Sequence, residues 1–88
     1  MKVKYRKNFL TDLAKIPSTD RKAIEKFAFE DVPALNSVGE SGRIERLKGY
    51  KFCYKARFGS YRVGLNLEDD TVSFERVLHR REIYRFFP

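Results

Sequence analysis

Three cations alternate along two neighbouring segments of this chain. Lys55 and Arg57 lie in Cys53-Tyr54-Lys55-Ala56-Arg57-Phe58, and Arg62 follows just past Gly59-Ser60. Residues that alternate along a strand share a face, and a two-residue turn brings the next strand back beside the first. Lys55, Arg57 and Arg62 then project from one side of one sheet. Fixed cations converging on a point make a phosphate clamp, because they need no reorganisation as charge builds on a phosphoryl oxygen. The simpler reading is a solvated sheet face, which alternation alone would produce. The C-terminal run shifts that balance. His79-Arg80-Arg81-Glu82-Ile83-Tyr84-Arg85 gathers the only histidine, three arginines and a tyrosine. Histidine and tyrosine transfer protons, and arginine stabilises phosphorane-like charge. On one helical turn Arg80 and Tyr84 would share a face. Phe86 and Phe87 read as anchors of the tail on a core, while Tyr84 fits either role equally well.

Other chemistries find less support. Cys53 has no activating base beside it in sequence and reads as a structural thiol rather than a nucleophile. One cysteine and one histidine cannot fill a structural zinc site or form an internal disulfide. Glu68-Asp69-Asp70 is a turn rather than a metal-ligand spacing, and no glycine-rich phosphate loop is present. No metal or cofactor is therefore expected. Tyr5, Tyr50, Tyr54 and Tyr61 have the chemistry to stack on RNA bases, but aromatics that alternate along strands usually form core.

The elements that must hold these residues follow from periodicity. Val3 and Tyr5 alternate with Lys2, Lys4 and Arg6, predicting a short strand with one buried face. Asn8 is positioned to cap a helix in which Phe9, Leu10, Leu13 and Ile16 recur at helical spacing and which Pro17 ends. Ser18, Thr19 or Asp20 caps a second helix, with Ala23, Ile24, Phe27 and Ala28 on its inner stripe and a stop or kink near Val32-Pro33. Asn36 to Gly42 is turn material. From Arg43 the period becomes two, in strands containing Ile44 and Leu47, Phe52 to Phe58, Tyr61 to Leu67, and Val72 to Leu78. The expected architecture is α+β, a single domain over residues 1–88. An N-terminal strand and helical hairpin pack on a four-stranded, mostly antiparallel sheet.

The chain carries 19 Lys and Arg against 12 Asp and Glu, a net charge of +7, and the surplus is uneven. The helical segment from Pro17 to Gly42 is net acidic, whereas the start and the half from Arg43 onward are strongly basic. A polyanionic partner is implied. A hydrophobic fraction of 42% argues against disorder. No segment approaches the roughly 20 apolar residues of a membrane span, and the basic start lacks the apolar stretch of a signal peptide. The expectation is a cytoplasmic protein.

These features together resemble the RelE/ParE toxin superfamily. The resemblance rests on the Leu47-Lys48-Gly49 step, Cys53-Tyr54-Lys55-Ala56-Arg57, the Gly59-Ser60-Tyr61-Arg62-Val63 hairpin and the ending Val77-Leu78-His79-Arg80-Arg81-Glu82-Ile83-Tyr84-Arg85. It implies a RelE-like fold of the microbial ribonuclease type, and a toxin of a type II toxin–antitoxin pair. In the RelE branch it implies metal-free cleavage of messenger RNA in the ribosomal A site. There the 2′-OH attacks the adjacent phosphate and leaves a 2′,3′-cyclic phosphate and a 5′-OH.

Carried over by position, the resemblance makes Lys55, Arg57 and Arg81 phosphate- or RNA-binding residues. It makes Arg62, Arg80, Tyr84 and His79 catalytic. Arg57 replaces a lysine, which keeps the charge and leaves the proton assignments open, because arginine hardly deprotonates. His79 stands where other members have a lysine or a catalytic histidine. The implied partners are the ribosome with its message and a cognate antitoxin that wraps the basic face and displaces the tail. With the tail ending at Pro88, the site is expected to be comparatively open. The alternative within the superfamily is a ParE-like toxin that inhibits DNA gyrase without cutting RNA.

Overall fold

The computed structural model describes residues 1–88. Strand β1 (Lys2–Tyr5) leads into helix α1 (Lys7–Ala14), then α2 (Ser18–Lys26). The second helix runs on through a π-helical turn (Phe27–Asp31) into α3 (Val32–Ala34). After a short 3-10 turn come β2 (Ile44–Arg46), β3 (Cys53–Phe58), β4 (Tyr61–Glu68) and β5 (Thr71–His79), and the chain closes with α4 (Ile83–Phe86). The sheet has five strands in the order β1-β5-β4-β3-β2. The meander of β2 to β5 is antiparallel as expected. The N-terminal strand does not pack on the sheet but joins it as a fifth strand, parallel to β5, with Val3 beside Val72 and Tyr5 beside Phe74.

Local chemistry explains the other departures from expectation. Arg6 rather than Asn8 precedes the first helix, because the Arg6 N–H is still bonded to the Phe74 carbonyl at 3.0 Å and keeps the chain extended until it turns helical. Pro17 takes the capping position of α2: its carbonyl accepts from the N–H groups of Asp20 and Arg21, so Ser18 and Thr19 fall inside the helix. Leu10 and Ala23, expected on inner stripes, face solvent.

The expected kink near Pro33 is a π turn. Proline has no N–H to give and its ring collides with the carbonyl four residues back, that of Phe29. The helix widens just before it, with the Val32 N–H reaching back five residues to the Phe27 carbonyl. The Ala28 carbonyl loses its α-helical donor, and its π-helical donor would be the proline nitrogen. The Tyr5 hydroxyl fills the gap, donating to Ala28 O at 2.6 Å. Burial there pushes the Tyr5 phenol above its ordinary range.

The main core lies between the helices and one sheet face, and includes Phe9, Leu13, Ile24, Phe27, Ala56, Val63, Leu65 and Phe74. Phe9 and Phe74 rings lie 5.1 Å apart and Phe27 meets Phe58 edge-on at 5.0 Å. The opposite sheet face carries a second, smaller core of Leu47, Ile83 and Phe87, with Cys53 and Leu78 at its margin. The second face is therefore covered only in part, by the C-terminal tail together with Leu47 from the β2–β3 connection. Two tight turns set the register. Gly59, at φ 58°, joins β3 to β4. Asp69 and Asp70, at φ 51° and 63°, make the β4–β5 turn of the type I′ conformation that suits a twisted hairpin.

Candidate functional site

The β3–β4 register places Arg57 directly opposite Arg62, and Lys55 opposite Gly64. All three cations thus share the sheet face that points away from the main core. Directly opposed residues of an antiparallel pair have Cβ atoms about 5 Å apart, and like charges there are destabilising. Nothing neutralises this pair. The molecule forms four ion pairs, Arg6–Glu75, Arg21–Glu25, Lys26–Asp31 and Arg76–Asp12, and none includes Lys55, Arg57, Arg62, Arg80 or Arg81.

Neighbouring groups hold the clamp in place. The Arg62 guanidinium donates through Nη1 to the carbonyls of Gly59, at 2.7 Å, and Tyr61, at 2.9 Å. Its remaining N–H groups stay free for an oxyanion. Arg43 donates to the Arg57 carbonyl at 2.7 Å and lies over the Phe58 ring, 4.2 Å from its centroid. The tail approaches from above. The Arg80 N–H donates to the Ser60 carbonyl at 2.7 Å, which ties the start of the tail to the turn between Arg57 and Arg62. Tyr84, largely exposed, accepts a hydrogen bond from Lys55 Nζ to its oxygen at 3.4 Å.

Several expectations about the tail change. Arg80 and Tyr84 do not share a helical turn, because the helix begins only at Ile83 and Arg80 lies in the preceding turn. Of the two terminal phenylalanines only Phe87 is buried; Phe86 is exposed, with the Arg76 guanidinium 5.1 Å from its ring centroid. The site is not open across the whole face, since Phe87 sits on Gly64 in the middle of the sheet. Burial beneath this tail, with a smaller contribution from Glu75, pushes the Cys53 thiol above its ordinary range, which disfavours the thiolate.

His79 does not join the cluster. It pairs in register with Tyr61, on the helix side of the sheet, with its ring edge-on to Tyr61 at 6.0 Å. Its Nδ1 accepts from the Arg81 N–H at 3.2 Å, and it borders a separate cleft of about 400 Å³ with Asp12, Lys15 and Glu82. Leu78 holds the position opposite Arg62 instead.

Three features escaped the sequence. Glu45 on β2 lies directly across from Lys55 and brings a carboxylate to the basic face; its alternation with Ile44 was the available signal. Gly64 is the socket for Phe87, since a Cβ there would fall 2.6 Å from the ring. Asp12 is buried in α1 and grips Arg76 through two bonds of 2.7 and 3.1 Å. No group of three or more His, Cys, Asp or Glu side chains gathers as a metal site.

Residues 3–84 match the protein family described as the ParE toxin of the type II toxin–antitoxin system, parDE. Over the full length of both proteins, the chain is 42% identical to Toxin RelE3 of Methanocaldococcus jannaschii. The chain belongs to the RelE/ParE toxin superfamily. Solved RelE structures superpose on it throughout. The toxin of the RelB–RelE antitoxin–toxin complex from Methanococcus jannaschii is 39% identical, with a TM-score of 0.80 over 97% of this chain and 99% of that one. A mutant of the E. coli toxin RelE in the free state is 28% identical, with a TM-score of 0.69 over 96% of this chain and 90% of that one. The RelE-like fold expected from the sequence is the one found, with the fifth strand added.

Proposed function

We propose that this RelE-type toxin is a ribosome-dependent endoribonuclease that cuts messenger RNA in the A site and so stops translation. The observation that carries the reading is the directly opposed, unneutralised pair of Arg57 and Arg62, flanked by Lys55. Like charges placed across a strand pair weaken the free protein, and local rules are broken in this way where a ligand supplies the missing counter-charge. A scissile phosphate does so, and its charge grows towards the transition state, where preorganised cations act most strongly.

In this reading the 2′-OH oxygen attacks the adjacent phosphorus. The O2′–P bond forms, the P–O5′ bond breaks, and the products are a 2′,3′-cyclic phosphate and a 5′-OH. Glu45, in register with Lys55, takes the 2′-OH proton. Tyr84 receives its hydrogen bond from Lys55, so its own hydroxyl hydrogen is free to protonate the departing O5′. Arg80, tied to the β3–β4 turn, adds charge at the Arg57–Arg62 end. His79, on the helix side of the sheet, stands outside this group, while Arg81, exposed in the same turn as Arg80, adds charge for the RNA. The message must be delivered in an in-line pose, and the ribosome provides that positioning.

Antitoxin–toxin complexes among the solved relatives support a cognate antitoxin as the second partner. Contact with the basic face and its tail would silence the toxin.

The test is induction of Arg62→Ala and Arg80→Ala variants beside the parent chain. Both variants are expected to fold and to lose growth arrest and codon-associated RNA cuts, read by mapping RNA 5′ ends. The ParE name of the matching family supports a second reading, inhibition of DNA gyrase without cutting. Accumulating DNA breaks with no new RNA ends would establish that reading in place of the first.

A further inference from the structure

The loop between β2 and β3 carries a surface that the catalytic reading leaves unused. From Arg46 to Phe52 it holds three cations, Arg46, Lys48 and Lys51, two aromatics, Tyr50 and Phe52, and no carboxylate. The aromatics are not core. Tyr50 is 51% exposed and Phe52 38% exposed. The loop is nonetheless a formed turn. Gly49 takes φ 86°, a conformation that side chains disfavour, and the Tyr50 N–H donates to the Leu47 carbonyl at 3.1 Å. Lys51 Nζ lies 5.4 Å from the Phe52 ring centroid. Around the turn lies an open concavity of about 550 Å³, bordered by the same three cations and Tyr50.

We propose that this loop is a second binding site for single-stranded RNA, with Tyr50 and Phe52 stacking on bases and Lys51 holding a phosphate between them. Rigid exposed rings interleaved with cations suit nucleic acid, because every base has a face to stack and every linkage a charge to meet. Continuity identifies the strand as the message. Lys51 lies six positions before Arg57, two residues ahead of the start of β3, so the loop is within about 20 Å of the clamp, the most that six residues span at a strand rise of roughly 3.3 Å. A strand held at the clamp and running along the β2 edge, beside the tail that covers Gly64 and Cys53, reaches the loop a few nucleotides from the cut. The inference rests on the ribonuclease reading and extends it from the scissile linkage to a flanking segment of the same message.

The test uses the full chain and a fluorescent, uncleavable 2′-O-methyl RNA of about 12 nucleotides, within the range single-strand sites cover, read by anisotropy. Tyr50→Ala and Phe52→Ala are each expected to weaken binding about 10-fold, and Tyr50→Phe to restore it. Lys51→Ala should reduce the slope of log K against log salt by about 0.7. On translating ribosomes the double aromatic variant should raise the concentration needed for cleavage and leave the rate at saturation near that of the parent. Unchanged RNA binding by the double variant, with loss of binding by Arg57→Ala, overturns the loop site and leaves the clamp standing. A parent chain that cleaves on ribosomes yet binds no free strand overturns it as well. So does selective loss of antitoxin binding in the double variant, which would make the loop a protein contact. Failure of the ribonuclease reading is distinct: RNA binding with no cuts by any variant or by the parent.

Discussion

Arg57 and Arg62 occupy the one place in the sheet where two cations stand directly across a strand pair with no carboxylate bonded to either. Their mutual repulsion is a standing cost to the free protein, on the order of 0.2–1 kcal/mol for a like-charge cross-strand pair. Stability and activity should therefore separate at this position. Arg57→Gln is expected to leave the melting temperature unchanged or slightly raised while lowering cleavage on ribosomes by about 100-fold or more, the scale of losing one preorganised charge contact. A fall in both together would make Arg57 a structural residue. Proton transfer is tested by a matched pair of changes. A positioned acid or base typically contributes about 10²–10⁴ in rate, so Glu45→Gln and Tyr84→Phe should each cost a factor in that range at saturating ribosomes. His79→Ala, on the far side of the sheet, should cost less than about 10-fold. A collapse of activity in His79→Ala alone would return the histidine to the site and displace Glu45.

The β3–β4 hairpin was legible in the sequence because its parts are local: a strict alternation, a glycine at the turn and another alternation fix the register. Alternation alone puts Lys55, Arg57 and Arg62 on one face. The face of His79 could not be read this way, because β5 carries a bulge. Gly64 pairs with Arg76 but Leu65 with Phe74, so Glu75 is an extra residue and the alternation shifts within the strand. The tail was illegible for a different reason. Its docking needs a vacancy on the sheet, and Gly64 reads in isolation as an interruption of a strand rather than as a seat for Phe87. That seat gives an element-scale prediction. In Gly64→Ala the new methyl enters the space of the Phe87 ring, 2.6 Å from its nearest atoms, and either the ring or the strand must yield. The expected cost is about 1–3 kcal/mol, as for overpacking, together with release of the tail. Cys53 supplies the readout, since its thiol is kept protonated by burial at the margin of the same small core. Its alkylation should accelerate in Gly64→Ala and in Phe87→Ala but not in Phe86→Ala. Equal rates in all three would mean that the tail is not seated by this contact.

At the scale of the whole molecule, one ion pair reaches all three layers. Asp12 projects from α1 to the stretch of β5 that β1 leaves unpaired, where its Oδ2 accepts from the Val77 N–H at 3.2 Å and both oxygens grip the Arg76 guanidinium. The same guanidinium lies against Phe86 in the tail. Helical hairpin, sheet and tail thus meet at a contact between residues 64 positions apart, a separation over which no periodicity carries information. The Asp12 hydrogen bond pushes Arg76 further above its already high range, so the guanidinium stays charged. Asp12→Ala removes its partner, leaving a half-buried cation uncompensated and a buried N–H without an acceptor. Losses of this kind run to about 3–5 kcal/mol for fully buried pairs, and the partial exposure of Arg76 reduces the expectation to about 2–3 kcal/mol. At roughly 4–8 °C per kcal/mol for a domain of this size, the melting temperature should fall by more than about 8 °C. Asp12→Asn keeps an acceptor for Val77 and should recover part of that loss. Arg76→Met keeps apolar bulk beside Phe86 but strands the buried Asp12 carboxylate, whose remaining donor is the Val77 N–H, so its cost should be comparable to that of Asp12→Ala, and the double change Asp12→Ala/Arg76→Met should be milder than either. A double variant as damaging as Asp12→Ala, with faster alkylation of Cys53, would mean that Arg76 acts mainly by holding the tail through Phe86 rather than by pairing with Asp12.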